Sequence, residues 1–168
     1  MINGYLTKQA QQDDHSIHLL FSANRWEAVR GMLEALRSGM ILIVDRYSFS
    51  GAVYSAAKGN PDLSLEWAWY CEVGLPRPDL VIFLDISSAD ASKRGGYGEE
   101  RYETEKMQSR VRTLFKDLFS RLPDLKLTKI DAGQPIDAVA REIASAFDTT
   151  ASLVGVDDMM AKLPLLSN

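Results

Sequence analysis

Cysteine and histidine are scarce in this sequence. Cys71 is the single cysteine among 168 residues, so an intramolecular disulfide and a zinc site built on several cysteines are both excluded. The two histidines, His15 and His18, lie three residues apart, but no pattern of carboxylates or cysteines completes a metal site around them. We therefore expect a solvated or capping role for both histidines.

Positive charge is also in short supply. The chain has 19 lysines and arginines against 23 aspartates and glutamates, which gives a net charge of −4 and a pI ≈ 5.2. A nucleic-acid surface would require a basic patch, so a DNA or RNA partner is not expected. Any phosphate chemistry must instead depend on a few individually placed arginines.

Long apolar runs are absent as well. None approaches the ~18–20 residues that a membrane span requires, and the polar residues 1–16 lack the layout of a signal peptide. We expect an intracellular soluble protein with no membrane partner. The expected compartment is the cytoplasm, with the nucleus as a second location.

The most informative stretch that is present is the apolar run 40–44, which ends in Asp45 and Arg46. A short unbroken apolar run is typical of a strand that is buried on both faces of a parallel sheet. Ligands of such sheets bind beyond the carboxyl ends of the strands, so Asp45 is placed to hold a metal ion and Arg46 to bind phosphate. The alternative is a salt bridge at the end of the strand.

Helical and strand patterns alternate along the chain, which predicts an α/β fold with a parallel sheet covered by helices. The hydrophobic content of 46% is ample for a core, and the length suggests one domain over 1–147, followed by a tail over 148–168 that is at best partly ordered. The predicted helices are the end of a helix within 1–12 and then 13–38, 48–59, 104–122 and 136–147, and the predicted strands are 40–45, 79–87 and 125–130.

Two more stretches combine residue types that suit ligand binding. Phe21 and Arg25 are one helical turn apart, and such a pair can stack on a planar base and donate to its edge. In the alternative reading, Phe21 belongs to the core and Arg25 extends from it to solvent. Residues 92–103 are rich in glycine and charge, which is typical of a surface connection or of a lid that closes on phosphate.

Four motifs occur in order along the chain: HLLFSANRWE (18–27), VDRYSFSG (44–51), GLPRPDLVIFLD (74–85) and KRGGYGEERYE (93–103). Their order and spacing resemble the thymidylate kinase family, and the glycine-rich lid resembles its eukaryotic branch. The resemblance covers nearly the whole chain and weakens after Phe147. It implies a P-loop nucleoside monophosphate kinase fold, ATP and dTMP as substrates, Mg²⁺ as the metal, and a homodimer formed through helices.

The resemblance also implies roles for individual residues. Phe21 and Arg25 would stack on thymine and bond its edge, while Gly51 and Tyr54 would border the deoxyribose. The other matching positions are Asp45 at the metal–phosphate site, Arg46 at the dTMP phosphate, Leu6 and Tyr102 at the substrate site, Arg94 in the lid near the ATP adenine, and Gln134 in the loop that flanks the same base. The catalytic residues would be Asp45, Arg46 and Arg94.

One part of the family pattern does not occur in these residues. The sequence contains no GxxxxGK[ST] motif, whose backbone amides and lysine hold the phosphates of ATP. In the family, the strand leading to that motif lies at the centre of a five-stranded sheet, between the strands that match 40–45 and 80–86. We therefore expect an N-terminally truncated chain that is inactive as written.

Three functions are compatible with these patterns. The first is thymidylate kinase activity of a longer product, which makes dTDP for dTTP synthesis. The second is a non-catalytic deoxynucleotide-binding paralogue, or a truncated isoform that pairs with an intact subunit. The third is another nucleoside or nucleotide kinase with the same lid and Asp-Arg motif, which the match of HLLFSANRWE disfavours.

Overall fold

Helices predominate in the computed structural model, which describes residues 2–7, 9, 11–91, 105–154 and 161–167. Arg94, Tyr102 and the predicted lid lie outside the described residues. The elements in chain order are α1 (Ile2–Leu6), α2 (Asp14–Arg37), α3 (Ser48–Ala56), α4 (Leu65–Tyr70), β1 (Val81–Asp85), α5 (Ser88–Ala91), α6 (Glu105–Ser120), β2 (Leu127–Asp131) and α7 (Ile136–Ala151).

The long helix α2 begins and ends where the sequence predicts. The Asp13 carboxylate accepts hydrogen bonds from the backbone N–H groups of His15 and Ser16, each at 3.0 Å, and so caps the first turn. After Ser38 the chain turns at Gly39, whose φ of 81° lies in the left-handed region that glycine adopts without a steric penalty. These two residues therefore fix the ends of α2.

The described sheet consists of two parallel strands. Strand β1 pairs with β2 in the register Val81↔Leu127 to Asp85↔Asp131, which confirms the strands predicted near 79–87 and 125–130. Helix α6 connects the strands and covers one face of the sheet. The Phe83 ring centroid lies 4.9 Å from that of Phe115 and 5.5 Å from that of Phe119. The crossover helix is thus fixed to the sheet by aromatic contacts.

The strand predicted over 40–45 is not present. Residues 40–44 form no regular secondary structure, no strand in the described part of the chain pairs with them, and most of their side chains are exposed, Ile43 by 90%. The prediction failed because an apolar run shows only a preference for burial. A strand also requires a neighbour whose N–H and C=O groups satisfy its own.

The core lies among α3, α4, α6 and the C-terminal segment. Leu163, only 2% exposed, packs with Trp69 and Leu75 in the same cluster. Backbone hydrogen bonds join Leu163 to Gly74 and Leu75, and the Trp69 indole donates to the Pro164 carbonyl at 2.8 Å. The tail was expected to be partly ordered at best, and these contacts hold its residues 161–167 against the core. In addition, α7 continues four residues past its predicted end at 147.

None of the helices in the described ranges is both long enough and apolar enough to cross a bilayer.

Candidate functional site

A polar cluster lies between α2, α3 and the turn that follows α4. It consists of five residues, which we call the buried cluster: His18, Arg25, Gly51, Ser55 and Glu72. Two of its members, Arg25 and Gly51, are residues that the sequence resemblance assigned to the substrate site. The other three were not predicted there.

An ion pair forms the centre of the buried cluster. The Arg25 Nε donates to Glu72 Oε2 at 2.7 Å, and Nη2 donates to Oε1. The Glu72 side chain has no solvent exposure and that of Arg25 is 14% exposed. The alternative in which Arg25 merely extends from the core into solvent is therefore wrong, because a buried carboxylate holds its guanidinium in place.

Gly51 provides the surface on which that guanidinium lies. A Cβ atom at Gly51 would come within 2.8 Å of Arg25 Nη2 and 3.0 Å of both Cζ and Nη1. The similar distances to three guanidinium atoms mean that the planar face of Arg25 lies against the backbone of α3. Any side chain at residue 51 would displace Arg25.

His18 is fully buried beside this pair, which corrects the expectation of a solvated or capping histidine. Its Nε2 donates to the Ala68 carbonyl and its Nδ1 accepts from the Ser55 hydroxyl, both at 2.9 Å. Burial, together with the nearby cations of Arg25 and Lys58, lowers the pKa of His18 from 6.5 to about 4. His18 is therefore neutral near pH 7, although the Glu72 carboxylate lies 3.8 Å from its Nε2.

Residues 40–47, which we call the exposed segment, carry the second group of predicted site residues. Asp45 and Arg46 are both exposed, and within the described ranges neither forms an ion pair, so the alternative of a salt bridge at a strand end finds no support there. Arg46 has φ = 61°, an unusual conformation for a residue with a side chain. Its Cζ lies 5.6 Å from the centre of the Tyr54 ring on α3. This cation–π contact places Arg46 next to a second predicted residue.

The remaining predicted residues lie elsewhere. Phe21 is half-buried on α2, one turn before Arg25, and Leu6 is exposed on α1. Gln134 follows β2, where its amide donates to the Asp131 carbonyl and to Glu142 Oε1, at 3.2 and 2.8 Å. No hydrogen bond or ion pair within the described ranges joins Leu6 or Gln134 to either arginine.

A cavity of about 200 Å³ lies between Tyr54 and the carboxyl end of β1, with Asp85, Gln108 and Arg112 among its lining residues. A larger cleft of about 710 Å³ continues along the sheet face beneath α6 and includes Asp131 and Lys129. Ligands of parallel sheets bind at this end of the strands, so the smaller cavity is well placed to hold part of a nucleotide. Within the described ranges no group of three metal-binding side chains occurs, although Asp45 is an accessible carboxylate.

Glu72 is the member of the buried cluster that the sequence could have indicated but that was overlooked. It is the only charged residue in WAWYCEVGLP, residues 67–76. A lone acid in an apolar stretch is buried only if a cation pairs with it, so this pattern indicates a distant arginine or lysine partner.

Comparison with known proteins supports the family suggested by the motifs. The family model for thymidylate kinase matches residues 1–143. The chain is 46% identical to thymidylate kinase from Dictyostelium discoideum over 149 residues and 46% identical to the Homo sapiens protein over 143. These alignments cover 89% and 85% of this chain but only 64% and 66% of the two relatives, so the chain spans less than two thirds of their length.

A solved structure gives the same result for the fold. The thymidylate kinase from Candida albicans superposes with a TM-score of 0.77 at 33% identity, covering 89% of this chain and 73% of the other. This similarity confirms the predicted α/β fold of nucleoside monophosphate kinases, with a parallel sheet flanked by helices.

Proposed function

Since this chain belongs to the thymidylate kinase family, we propose that the protein carrying it transfers the γ-phosphate of ATP to dTMP and releases ADP and dTDP. The observation that carries the proposal is the presence of two arginines in different environments, Arg25 paired inside the buried cluster and Arg46 exposed beside Tyr54. The paired arginine suits an uncharged base, and the exposed one suits a phosphate.

The base site is formed by Phe21 and Arg25. The half-buried Phe21 ring stacks on thymine, and free guanidinium donors of Arg25 bond a carbonyl on its edge. Gly51 and Tyr54 on α3 border the deoxyribose, and Leu6 and Tyr102 complete the substrate site. The aromatic face of Tyr54 occupies the space next to the sugar.

The phosphate site is formed by Arg46, whose planar fork matches two phosphate oxygens. In the transfer, an oxygen of the dTMP phosphate forms a bond to the γ-phosphorus of ATP while the bond from that phosphorus to the β–γ bridging oxygen breaks. Both bonding electrons leave with ADP. Such a reaction requires positioning and charge neutralisation with little covalent work from the protein, which is the task of Arg46 and of Arg94 in the lid.

Asp45 suits a magnesium site of the usual kinase type, in which one or two carboxylates and substrate phosphates share the ion. Its carboxylate is accessible and directly precedes Arg46. When bound, Mg²⁺ supplies positive charge to the phosphate oxygens. At the ATP site, Arg94 and Gln134 flank the adenine. To contact the adenine, the Gln134 amide would break its hydrogen bond to Glu142.

An assay of ADP release with ATP and dTMP tests this function. We expect turnover from a protein that joins these residues to a GxxxxGK[ST] segment. We expect none from residues 1–168 alone, because they contain no such segment and the loss of even one donor to a transferring phosphate costs ~10²–10³ in rate. Turnover of residues 1–168 that Asp45→Ala abolishes would contradict this expectation.

The lack of a GxxxxGK[ST] motif in these residues supports a second candidate function. A chain without the phosphate-binding motif could serve as a non-catalytic deoxynucleotide-binding protein, or could pair with an intact subunit. Calorimetry with dTMP, run beside the ADP-release assay, separates the two functions. If the protein that includes the GxxxxGK[ST] segment binds dTMP without turnover, the second function is favoured.

We also propose a cytoplasmic homodimer formed through helices. Leu19 and Trp26, two turns apart on α2, are 47% and 43% exposed and so offer an apolar surface. Light scattering coupled to size-exclusion chromatography tests the dimer, which Leu19→Glu should weaken. A single species at the monomer mass would refute it.

A further inference from the structure

A buried carboxylate to which the proposed reaction assigns no role lies beside the base site. Glu72 has no solvent exposure, and both of its oxygens accept hydrogen bonds from Arg25, 47 positions away in the sequence. A buried charge is costly unless it is paired and hydrogen-bonded. The pair therefore ties α2 to the turn after α4 and leaves the guanidinium one fixed orientation.

This orientation leaves some donors of Arg25 for a ligand. A guanidinium has five N–H donors, of which Glu72 engages one on Nε and one on Nη2. Those on Nη1 and the second on Nη2 have no acceptor among the residues described. Since the Arg25 side chain keeps 14% of its surface exposed, these donors are accessible to a bound molecule.

The pairing also decides which kind of acceptor suits Arg25. The ion pair has no net charge, and an anion placed near it would be repelled by the Glu72 carboxylate while it is attracted by the guanidinium. An uncharged carbonyl meets no such repulsion. Arg46 differs, because no carboxylate in the described ranges pairs with it.

Gly51 fixes the same guanidinium from its other side. The approach of three guanidinium atoms to within about 3 Å of a Cβ position means that only glycine leaves the required space. Arg25 is thus held at its edge by Glu72 and at its face by the backbone of α3.

We propose that Glu72 and Gly51 are positioning residues that determine base specificity. They aim the free donors of Arg25 at a carbonyl on the edge of the pyrimidine, so that a base with an amino group at that position is rejected. This inference rests on the function proposed above, since it requires that Arg25 faces the base.

Calorimetric titration of the full-length protein with dTMP and dCMP tests the proposal, because cytosine presents an amino group where thymine presents a carbonyl. We expect Glu72→Gln to weaken dTMP binding about tenfold or more. The preference for dTMP over dCMP should fall by a similar factor, while the KM for ATP stays unchanged. Glu72→Asp, which keeps the charge, should recover most of the preference.

The matched control is Glu66→Gln, which makes the same chemical change in an ion pair with Arg121 whose acid is largely exposed. It should leave both affinities unaltered. Gly51→Ala provides a second, independent variant that keeps both charges. Alanine favours helix over glycine, and dTMP and dCMP carry the same sugar, so a lower preference for dTMP over dCMP with an undiminished Tm would identify positioning of Arg25 and not loss of folding.

Failure of the proposed function and failure of this inference give different results. A wild-type protein that does not bind dTMP overturns the proposed function and this inference with it. A wild-type protein that binds dTMP, together with Glu72→Gln and Gly51→Ala variants that retain its affinity and base preference, overturns the inference alone.

Discussion

The buried cluster and the exposed segment each contain one arginine, and the two arginines are held in different ways. Arg25 is fixed by Glu72 and Gly51 before any ligand arrives. Arg46 lies in the left-handed backbone region, exposed, with the Tyr54 ring as its described contact. If Arg25 faces the base and Arg46 the phosphate, as proposed, the base side of the site is preorganised within the helices, whereas the phosphate side is completed only when the phosphate binds.

Stability follows the same division. The helices around the buried cluster enclose the hydrophobic core, with Trp69, Leu75 and Leu118 fully buried or nearly so. The exposed segment contributes apolar side chains that face water, including Ile41 and Ile43. Mutations on the two sides should therefore have separable consequences, one mainly for folding and one mainly for phosphate binding.

The largest effect is expected from Arg25→Ala. This substitution leaves Glu72 as a buried carboxylate without a cation, a change that typically lowers the free energy of unfolding by about 3–5 kcal/mol. Urea denaturation at pH 7 measures it. The double variant Arg25→Ala/Glu72→Gln, which removes both charges, should recover most of the loss. An Arg25→Ala variant as stable as wild type would show that the ion pair does not stabilise the buried cluster.

Arg46→Ala should affect binding and not folding. Loss of a charge-assisted contact to phosphate weakens dTMP binding by about 1.5–3 kcal/mol. The free energy of unfolding should change by less than about 0.5 kcal/mol, because the side chain is exposed. Calorimetry and urea denaturation on the same protein measure the two quantities. Arg46→Lys should be a poor replacement because lysine lacks the guanidinium fork. Full dTMP affinity in Arg46→Ala would show that Arg46 does not bind the phosphate.

A smaller effect should appear when pH is lowered. The pKa of His18 is about 4 in the folded state and 6.5 when unfolded, so between these values the unfolded chain binds a proton that the folded chain does not. Stability is therefore lost as pH falls below about 6.5, with a loss of roughly 2 kcal/mol from pH 7 to pH 5. Urea denaturation at both pH values measures this loss. Equal losses in wild type and in His18→Gln would exclude His18 as the cause.

Features determined locally could be predicted from the sequence. Asp13 and Gly39 mark the ends of α2 because capping depends on residues within a few positions of the helix end. Strand β1 was predicted from a short apolar run and β2 from the weaker pattern over 125–130, and the two strands pair with each other. The run 40–44 is apolar like β1 but has no described partner strand, so the same reasoning failed there.

The site was predictable only in part for a related reason. Motif resemblance indicated Arg25, Gly51 and Arg46, but not that Gly51 makes room for the Arg25 guanidinium. Glu72 was missed because its partner lies 47 positions away, and burial of a charge depends on the packing of three helices. Long-range pairing of this kind follows from the tertiary fold and not from spacing.

The central claim is that Arg25 recognises the base and Arg46 the phosphate. The most direct test is calorimetry of dTMP and thymidine, which differ only in the phosphate, with Arg46→Ala and with Arg25→Ala/Glu72→Gln. In Arg46→Ala, we expect thymidine affinity to be kept and the advantage of dTMP over thymidine to disappear. In the double variant, both affinities should fall by about 1–3 kcal/mol and the advantage should remain. Equal losses for both ligands in both proteins would contradict the division of roles.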